Sequence, residues 1–337
     1  MKKTFALIGA AIAAIALAAG AANAQAPIII KFSHVVANDT PKGKGALKFK
    51  ELAEKYTNGK VKIEVYPNSQ LFKDKEEIEA LQLGSVQMLA PSTAKFAPLG
   101  AKEFEALDLP WLFKDDATYD KAMKGPVGKY LFSKLESKGI TGLAYWDNGF
   151  HMVSANRPLL MPADFQGLKV RISGSKIADQ YFRLVGAIPQ IMAFSEVYQA
   201  LQTGVVDGQE NTPSNMYTQK MHEVQTFATL SNHGYLGYAV IVNKKFWDGL
   251  PPDIRTALES AMAEATKFAN AIAQTENDEA LAAMQASGKT EFYPLPPAEA
   301  EAWRKALLPV HGEMEQRVGK DLIQSISREA AKFGFSD

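Results

Sequence analysis

The chain contains no cysteine among its 337 residues, which excludes disulfides and thiolate metal sites. After the first 24 residues, no apolar run approaches the roughly 20 residues that a membrane span needs. The formal net charge at pH 7 is zero, and there is no basic stripe or polybasic segment. These absences argue against nucleic acid and membrane surfaces as partners, so any charged site has to be local.

Motifs of common enzyme classes are also missing. The chain has no Gly-x-Ser-x-Gly, no His-Glu-x-x-His, no phosphate-binding loop with Lys-Ser/Thr, and no GxGxxG after its first predicted strand. A Ser-His-Asp triad is not excluded, because its members can lie far apart in sequence. We predict no catalytic residue, no cofactor and no metal site. The five histidines lack metal-ligand spacing and are His34, His151, His222, His233 and His311.

Residues 1–24 have the pattern of a cleavable export signal. Lys2 and Lys3 form a positive start, Phe5 to Leu17 are apolar, and Ala22-Asn23-Ala24 fits a small-residue cleavage site. We therefore predict cleavage after Ala24 and a periplasmic mature chain. That chain keeps about 313 residues, a length at which two domains are expected.

The mature N-terminal region alternates strands and helices. Strands are predicted at residues 28–33, 61–65 and 87–90, with a helix opening at Pro41 and another near 75–83. Such a series favours parallel strands with right-handed crossovers, and hence an α/β fold. A strand from Ile140 to Trp146 should be interrupted at residues 147–149, and a short strand is predicted at Val205-Val206.

The second half of the chain predicts how two domains are joined. Residues 236–242 are apolar and rich in β-formers, so they are expected to return to the first domain. No Gly or Pro occurs between Pro252 and Ser287, which favours one long helix or a kinked pair packed across both domains. Crossings near Asn148 and Tyr235 would form a hinge. The predicted units are the signal 1–24, domain I from 25–148 plus 236–278, and domain II from 149–235 plus 279–337.

Arg171 is the leading candidate for ligand binding. It lies at the end of the predicted strand KVRI, where open α/β sheets bind ligands, and a buried arginine can clamp a carboxylate with two parallel hydrogen bonds. The alternative is a structural ion-pair arginine. Asn211, at the end of VDGQEN, could donate and accept hydrogen bonds to a ligand, although taken alone it is better explained by capping of the next helix.

Other candidates lie near the predicted loops and crossings. A ligand with two negative charges needs a second positive group, for which Lys73, His151 and His34 are available. Ser92 follows a strand and could present a hydroxyl group. The aromatic residues near the junctions could line a pocket or belong to the core, and we select Trp146, Phe194 and Tyr238 as ligand-binding candidates.

Long blocks of the chain resemble the solute-binding subunit of tripartite ATP-independent periplasmic (TRAP) transporters, of the C4-dicarboxylate type. They include IKFSHVVANDTPKGKGALKFKELAEKYTNG, GITGLAYWDNGF, GLKVRI and MAFSEVYQALQTGVVDGQEN. The resemblance implies a type II-like two-domain binding protein with hinge strands and a long helix spanning both domains. It also implies that Arg171 clamps the ligand carboxylate, with Asn211 and Phe194 in the cleft.

The resemblance leaves the second carboxylate contact open. Relatives often carry arginine or lysine where this chain has His151, and histidine is only partly charged near neutral pH. Lys73 is the next choice, because its loop faces the cleft in similar proteins. The implied partners are malate, succinate or fumarate and a membrane permease, for a protein that is expected to be a monomer. One alternative is a binder of the same fold for a 2-oxo acid, an aromatic acid or a sugar acid. The others are a periplasmic enzyme such as a hydratase or hydrolase, to which no sequence feature points, and a structural or sensory role.

Overall fold

The computed structural model describes residues 26–331, so the predicted signal and its cleavage site lie outside the described residues. Within this part of the chain, no helix combines the length and apolarity that crossing a membrane requires. The strands, in chain order, are β1 (Ile28–Ser33), β2 (Val61–Tyr66), β3 (Met88–Leu89), β4 (Ile140–Phe150), β5 (Met152–Ala155), β6 (Lys169–Ile172), β7 (Ile188–Ile191), β8 (Gly208–Asn211), β9 (Phe227–Leu230), β10 (Tyr235–Asn243) and β11 (Glu291–Pro294).

The helices connect these strands and cover both sheets. Each begins or ends near a residue that favours a helix boundary, such as Pro41 at one start or Gly288 after the longest helix. In chain order they are α1 (Pro41–Tyr56), α2 (Glu77–Gln82), α3 (Asp116–Lys124), α4 (Pro126–Glu136), α5 (Lys176–Leu184), α6 (Val197–Thr203), α7 (Pro213–Thr218), α8 (Lys244–Asp248), α9 (Pro252–Ser287), α10 (Pro297–Leu307), α11 (Pro309–Val318) and α12 (Lys320–Ala331).

The strands form two separate sheets. The first has the order β2-β1-β3-β10-β4, in which β1 runs parallel to β2 and β3, and β10 is antiparallel to β3 and β4. The second has the order β11-β9-β5-β8-β6-β7, in which β6 is parallel to both of its neighbours. The prediction of an α/β fold with parallel β-α-β units is therefore confirmed.

Two predicted details of the strands are wrong. Val205 and Val206 precede the strand, which is formed instead by the polar residues Gly208–Asn211 between β5 and β6. Their side chains find buried partners, as when Gln209 Nε2 donates to Ser154 Oγ at 3.1 Å. The break predicted at residues 147–149 is likewise absent, because β4 continues to Phe150 and a register shift opposite Leu236 and Gly237 absorbs the irregularity.

The predicted long helix is a single helix of 36 residues, α9, and it contacts elements of both halves. It packs against α1 and β4 of the first sheet's layer and against α7, which follows β8 of the second sheet. The last helix, α12, packs against α3 and α4. The division of the chain into domains at residues 148/149 and 235/236 remains a prediction.

Candidate functional site

A pocket lies where segments that follow strands of the two sheets meet. Its empty volume is about 510 Å³, including the mouth. Residues from both halves of the chain face it, so both sheets contribute to one site. The lining residues are Val35, Val36, Lys42, Asp74, Glu77, Ser92, Lys95, His151, Arg171, Ser173, Phe194, Glu210, Asn211, Asn215, Leu236 and Tyr238.

Arg171 on β6 is the buried cation at the centre of this site, with 3% of its surface exposed. Its Nε and Nη2 donate to the carbonyl oxygen of Met192 at 3.1 and 2.9 Å, and its guanidinium carbon lies 5.8 Å from the centre of the Phe194 ring. Burial lowers the pKa of Arg171, and the nearby carboxylates oppose this effect. The Nε/Nη2 edge of the guanidinium is therefore held by the backbone, and the Nη1/Nη2 end can donate to a planar anion.

Asp74 connects Arg171 to the first sheet's side of the pocket. Its Oδ2 accepts from Lys95 Nζ at 2.8 Å and lies 3.9 Å from Arg171 Nη2, while its Oδ1 accepts from the Phe194 backbone N–H at 3.1 Å. Lys95 also donates to the carbonyl oxygen of Ser173. Burial would raise the pKa of Asp74, but Lys95 and Arg171 together lower it, so Asp74 is ionised and bridges the two halves.

Asn211 is oriented by its own neighbours. Its Oδ1 accepts from the Thr212 backbone N–H and from Asn215 Nδ2, both at 3.0 Å. Asn215 Nδ2 also donates to the hydroxyl of Tyr238 at 3.1 Å, which in turn accepts from Asn148 Nδ2 at 2.7 Å. Burial raises the pKa of Tyr238 to about 12. The oxygen of Asn211 is thus committed to the scaffold, which leaves its NH₂ group for a ligand.

Glu210 is the acceptor of a buried cluster beside the pocket. Its Oε2 accepts from Tyr181 at 2.5 Å, lies 3.0 Å from His233 Nε2 and lies 3.5 Å from His151 Nδ1. Burial would raise the pKa of Glu210, but the two histidines hold it well below its usual range. Burial also lowers the pKa of His233.

The Glu210 cluster was not foreseen from histidine spacing. The fold places the side-chain atoms of His151, Glu210 and His233 that could coordinate a metal within 4.8 Å of one another. All three neighbours of Glu210, however, approach the same carboxylate oxygen. Hydrogen bonds from Tyr181 and His233 to the Glu210 carboxylate, with His151 close beside it, therefore account for this geometry with the chain's own groups.

Lys42 and Glu77 bring a further cation and a further carboxyl group to the pocket, each 1% exposed. Lys42 Nζ donates to the carbonyl oxygen of Ala90 at 3.0 Å and lies 3.7 Å from the centre of the Tyr238 ring. Glu77 Oε2 is buried and has no hydrogen-bond partner among the described residues. Burial lowers the pKa of Lys42 and raises the pKa of Glu77.

The structure brings most of the residues predicted from sequence into this one pocket. These residues come from strands and loops far apart in the chain, and their convergence depends on both sheets. The predicted residues that line the pocket are Arg171, Asn211, His151, Phe194, Ser92 and Tyr238.

Three predicted residues do not line the pocket. The side chain of Lys73 is 47% exposed and forms an ion pair with Glu196 at 2.8 Å. His34 is fully buried, and burial lowers its pKa to about 3, so its ring is neutral. Trp146 lies in the core between the first sheet and its helices, where its Nε1 donates to Thr266 at 2.9 Å. Its large apolar ring stabilises the core instead of facing a ligand.

The predicted ligand-binding residues leave out five charged residues of the pocket, which are Lys42, Asp74, Glu77, Lys95 and Glu210. Lys42 is the second residue of α1, where a cation is unfavourable beside the positive end of the helix dipole, and that position was an available signal. Lys95 lies shortly after the carboxyl end of β3, in the same relation to its strand as Ser92. For Asp74 and Glu77, which lie in a charged surface-like segment, no local signal indicated burial.

A model of the bacterial extracellular solute-binding proteins, family 7, matches residues 32–317. The chain belongs to this family. It is 64% identical over 327 residues to the C4-dicarboxylate-binding periplasmic protein DctP of Rhodobacter capsulatus, with 97% of this chain and 98% of the relative covered.

Solved structures of TRAP periplasmic solute-binding proteins have the same fold. One from Shewanella oneidensis with bound succinate is 43% identical with a TM-score of 0.88, covering 90% of this chain and 100% of that one. One from Pseudomonas aeruginosa PAO1 with bound L-malate is 44% identical with a TM-score of 0.83, covering 85% and 100%. The predicted family and the two-domain binding-protein fold with its long helix are confirmed.

Proposed function

We propose that this protein captures C4-dicarboxylates such as malate, succinate and fumarate and delivers them to a TRAP permease in the membrane. The observation that carries the proposal is the buried pocket around Arg171, lined also by Lys42 and Lys95, in a chain that is 64% identical to a C4-dicarboxylate-binding protein. Because a buried carboxylate needs a partner of opposite charge, a pocket with cations on several sides suits a ligand with a carboxylate at each end.

In this proposal, Arg171 and Asn211 bind one carboxylate. The guanidinium edge that is not used by Met192 provides two parallel N–H groups, and the Asn211 NH₂ group adds a third donor. Their geometry is preorganised, because a backbone carbonyl holds the arginine and the Thr212 backbone N–H holds the amide. A preorganised site loses little conformational entropy when the ligand binds.

The other carboxylate is assigned to Lys42, with His151 as the second candidate. Lys42 makes one hydrogen bond to the Ala90 carbonyl, and an ammonium group has three donors, so further donors remain for a ligand. Lys73 is not retained in this role, since its exposed ammonium pairs with Glu196 away from the pocket lining. Ser92 and the Phe194 ring then contribute to the walls of the pocket.

We further propose export to the periplasm with cleavage after Ala24, a monomeric state, and hinge bending about the β4 and β10 crossings. The periplasmic relatives support export. Binding has to favour the closed state, because a ligand shifts a conformational equilibrium only through its differential affinity. The bound acid would leave chemically unchanged, as expected for a member of a solute-binding family.

The test is a thermal-shift screen of residues 25–337 after unfolding and refolding, which removes any copurified acid. Malate, succinate and fumarate should each raise the melting temperature, because a ligand that binds only the folded state stabilises it by mass action. Acetate, lactate and galactonate serve as controls, and mass spectrometry of the recovered succinate should show it unaltered. A shift with a sugar acid or monocarboxylate but with no C4-dicarboxylate would contradict the proposed ligand, and conversion of the acid would contradict a binding role.

A further inference from the structure

With every acidic and basic side chain in its charged form, the charges that line the pocket would sum to zero before any ligand enters. Three cations face it, and so do three acidic side chains. A dianion entering such a pocket would leave an excess of negative charge in a region of low dielectric constant, which is strongly unfavourable. The lining cations are Lys42, Lys95 and Arg171, and the acidic residues are Asp74, Glu77 and Glu210.

Two of the three acidic side chains are stabilised as carboxylates. Asp74 has Lys95 at 2.8 Å and accepts the Phe194 backbone N–H. Glu210 accepts from Tyr181 and lies next to its two histidines. Each of these two groups therefore has close donors that favour the charged form.

Glu77 lacks such stabilisation. It is 1% exposed, makes no ion pair within 4.0 Å among residues 26–331, and its Oε2 has no hydrogen-bond partner there. The charged groups that face it are Lys42 from α1, Asp74 from the segment before α2, and Lys95 from the short 3₁₀ helix after β3. A buried carboxyl group with an unpartnered oxygen at the pocket wall has the properties of a group that completes its hydrogen bonding with a ligand.

Lys42 does not neutralise Glu77 by direct contact. Its ammonium is directed to the Ala90 carbonyl and the face of the Tyr238 ring. Burial raises the pKa of Glu77, and the neighbouring Asp74 carboxylate raises it further, whereas Lys42 and Lys95 act in the opposite direction. Glu77 can therefore be protonated within the range of pH in which a periplasmic protein works.

We propose that Glu77 is a ligand-binding residue that is protonated in the complex and donates a hydrogen bond to the bound dicarboxylate. The proton comes from the buffer, and no covalent bond to the ligand changes. This inference rests on the proposed function, because it requires a dianionic ligand in the pocket. In this arrangement, protonated Glu77 is a neutral hydrogen-bond donor to the ligand, and it lies beside the cation Lys42.

The inference has a defined dependence on pH. The dianion makes ionisation of Glu77 still less favourable, so binding takes up a proton wherever Glu77 is ionised in the free protein. Affinity should then fall as pH rises through this range, by up to about tenfold per pH unit for one proton. At lower pH, Glu77 is already protonated in the free protein, and affinity should no longer change with pH through this group.

Isothermal titration calorimetry with succinate measures this uptake directly. Titrations at about pH 8 in phosphate and in Tris are compared, because both carboxyl groups of the ligand are already ionised there and the buffers differ in ionisation enthalpy. The expected slope of observed heat against buffer ionisation enthalpy corresponds to an uptake of between a few tenths of a proton and one proton. A zero slope from pH 7 to 8.5 in the wild-type protein would overturn the proposal.

Variants then identify the residue that takes up the proton when succinate binds. Glu77→Gln keeps a hydrogen-bond donor of similar shape, so it should bind within about threefold of wild type at pH 7 and lose the proton uptake. Glu77→Ala lacks the donor and should bind at least about tenfold more weakly. Glu79→Gln, an exposed change on the same helix, is the matched control and should retain the wild-type uptake.

Lys42 could also take up a proton, because it lines the pocket and burial lowers its pKa to about 8. Proton uptake that persists in Glu77→Gln would overturn the assignment to Glu77. Absence of any binding heat with C4-dicarboxylates at every pH would overturn the proposed function as well, and that result is distinct from binding without proton uptake. Melting curves of each variant confirm that it is folded.

Discussion

At the scale of single residues, the pocket depends on how each buried charge is oriented. Arg171 uses Nε and Nη2 on one carbonyl oxygen, that of Met192, and this contact fixes the plane of its guanidinium. The planar fork matches a carboxylate, whereas a lysine ammonium is a point charge without a preferred plane. Retaining the charge alone is therefore insufficient to retain the site.

Arg171→Lys should weaken binding of succinate by about 2 kcal/mol or more, or roughly 30-fold, because one ammonium cannot replace the two-pronged contact. Calorimetric dissociation constants of the variant and the wild type check this. The matched control is Arg183→Lys, since Arg183 is 58% exposed and pairs with Asp179 on α5. If both lysine variants bind like wild type, Arg171 does not clamp the ligand.

At the scale of elements, α9 connects the two halves through its buried face. The helix spans about 54 Å at 1.5 Å per residue, long enough to pass both sheets. Near its C-terminal part, Asn277 Oδ1 accepts from the Ser214 backbone N–H at 2.9 Å and its Nδ2 donates to the Asn148 carbonyl at 2.6 Å. This one side chain thereby attaches the helix to the β4 crossing and to the start of α7.

Asn277→Leu should lower the free energy of unfolding by about 2–5 kcal/mol, because it leaves two buried backbone groups without partners. Urea denaturation followed by circular dichroism measures the change. Gln274→Leu, on the exposed side of the same helix, should alter stability by less than about 0.5 kcal/mol. Equal effects of the two changes would mean that Asn277 is not a specific attachment point.

At the scale of the whole molecule, the two halves are joined across the pocket by contacts of unequal burial. Lys73 and Glu196 form an exposed bridge, with side chains 47% and 44% accessible. Asp74 forms a buried bridge to the Phe194 backbone N–H and lies near Arg171. An exposed ion pair typically contributes about 0–1 kcal/mol, whereas loss of one partner of a buried set costs about 3–5 kcal/mol.

We therefore expect Lys73→Ala to weaken succinate binding less than about fivefold and Asp74→Ala to weaken it more than about tenfold. Under the proposed hinge bending, the buried bridge forms when the halves approach each other, so Asp74→Ala should also reduce closure. Small-angle X-ray scattering with saturating succinate would detect a larger radius of gyration than in the wild type. A stronger effect of Lys73→Ala than of Asp74→Ala would show that the exposed pair dominates closure.

The helices and most strands were predictable because they depend on local patterns. Pro41 at a helix start, the stretch from 252 to 287 without Gly or Pro, and the apolar return at residues 236–242 all predict structure from neighbours in the chain. Residues 208–211 were misassigned for the opposite reason. Their polar side chains become buried only because β5 and β6 enclose them, and no local pattern contains that information.

By itself, the sequence determined the α/β elements, the long helix, the family and the position of Arg171 at a strand end. Tertiary structure alone decided which charges share the pocket. It moved Lys73 and Trp146 away from the lining and brought Lys42, Asp74, Glu77 and Lys95 into it. The physical reason is that burial and charge pairing depend on distances between segments far apart in the chain, whereas helix and strand preferences depend on adjacent residues.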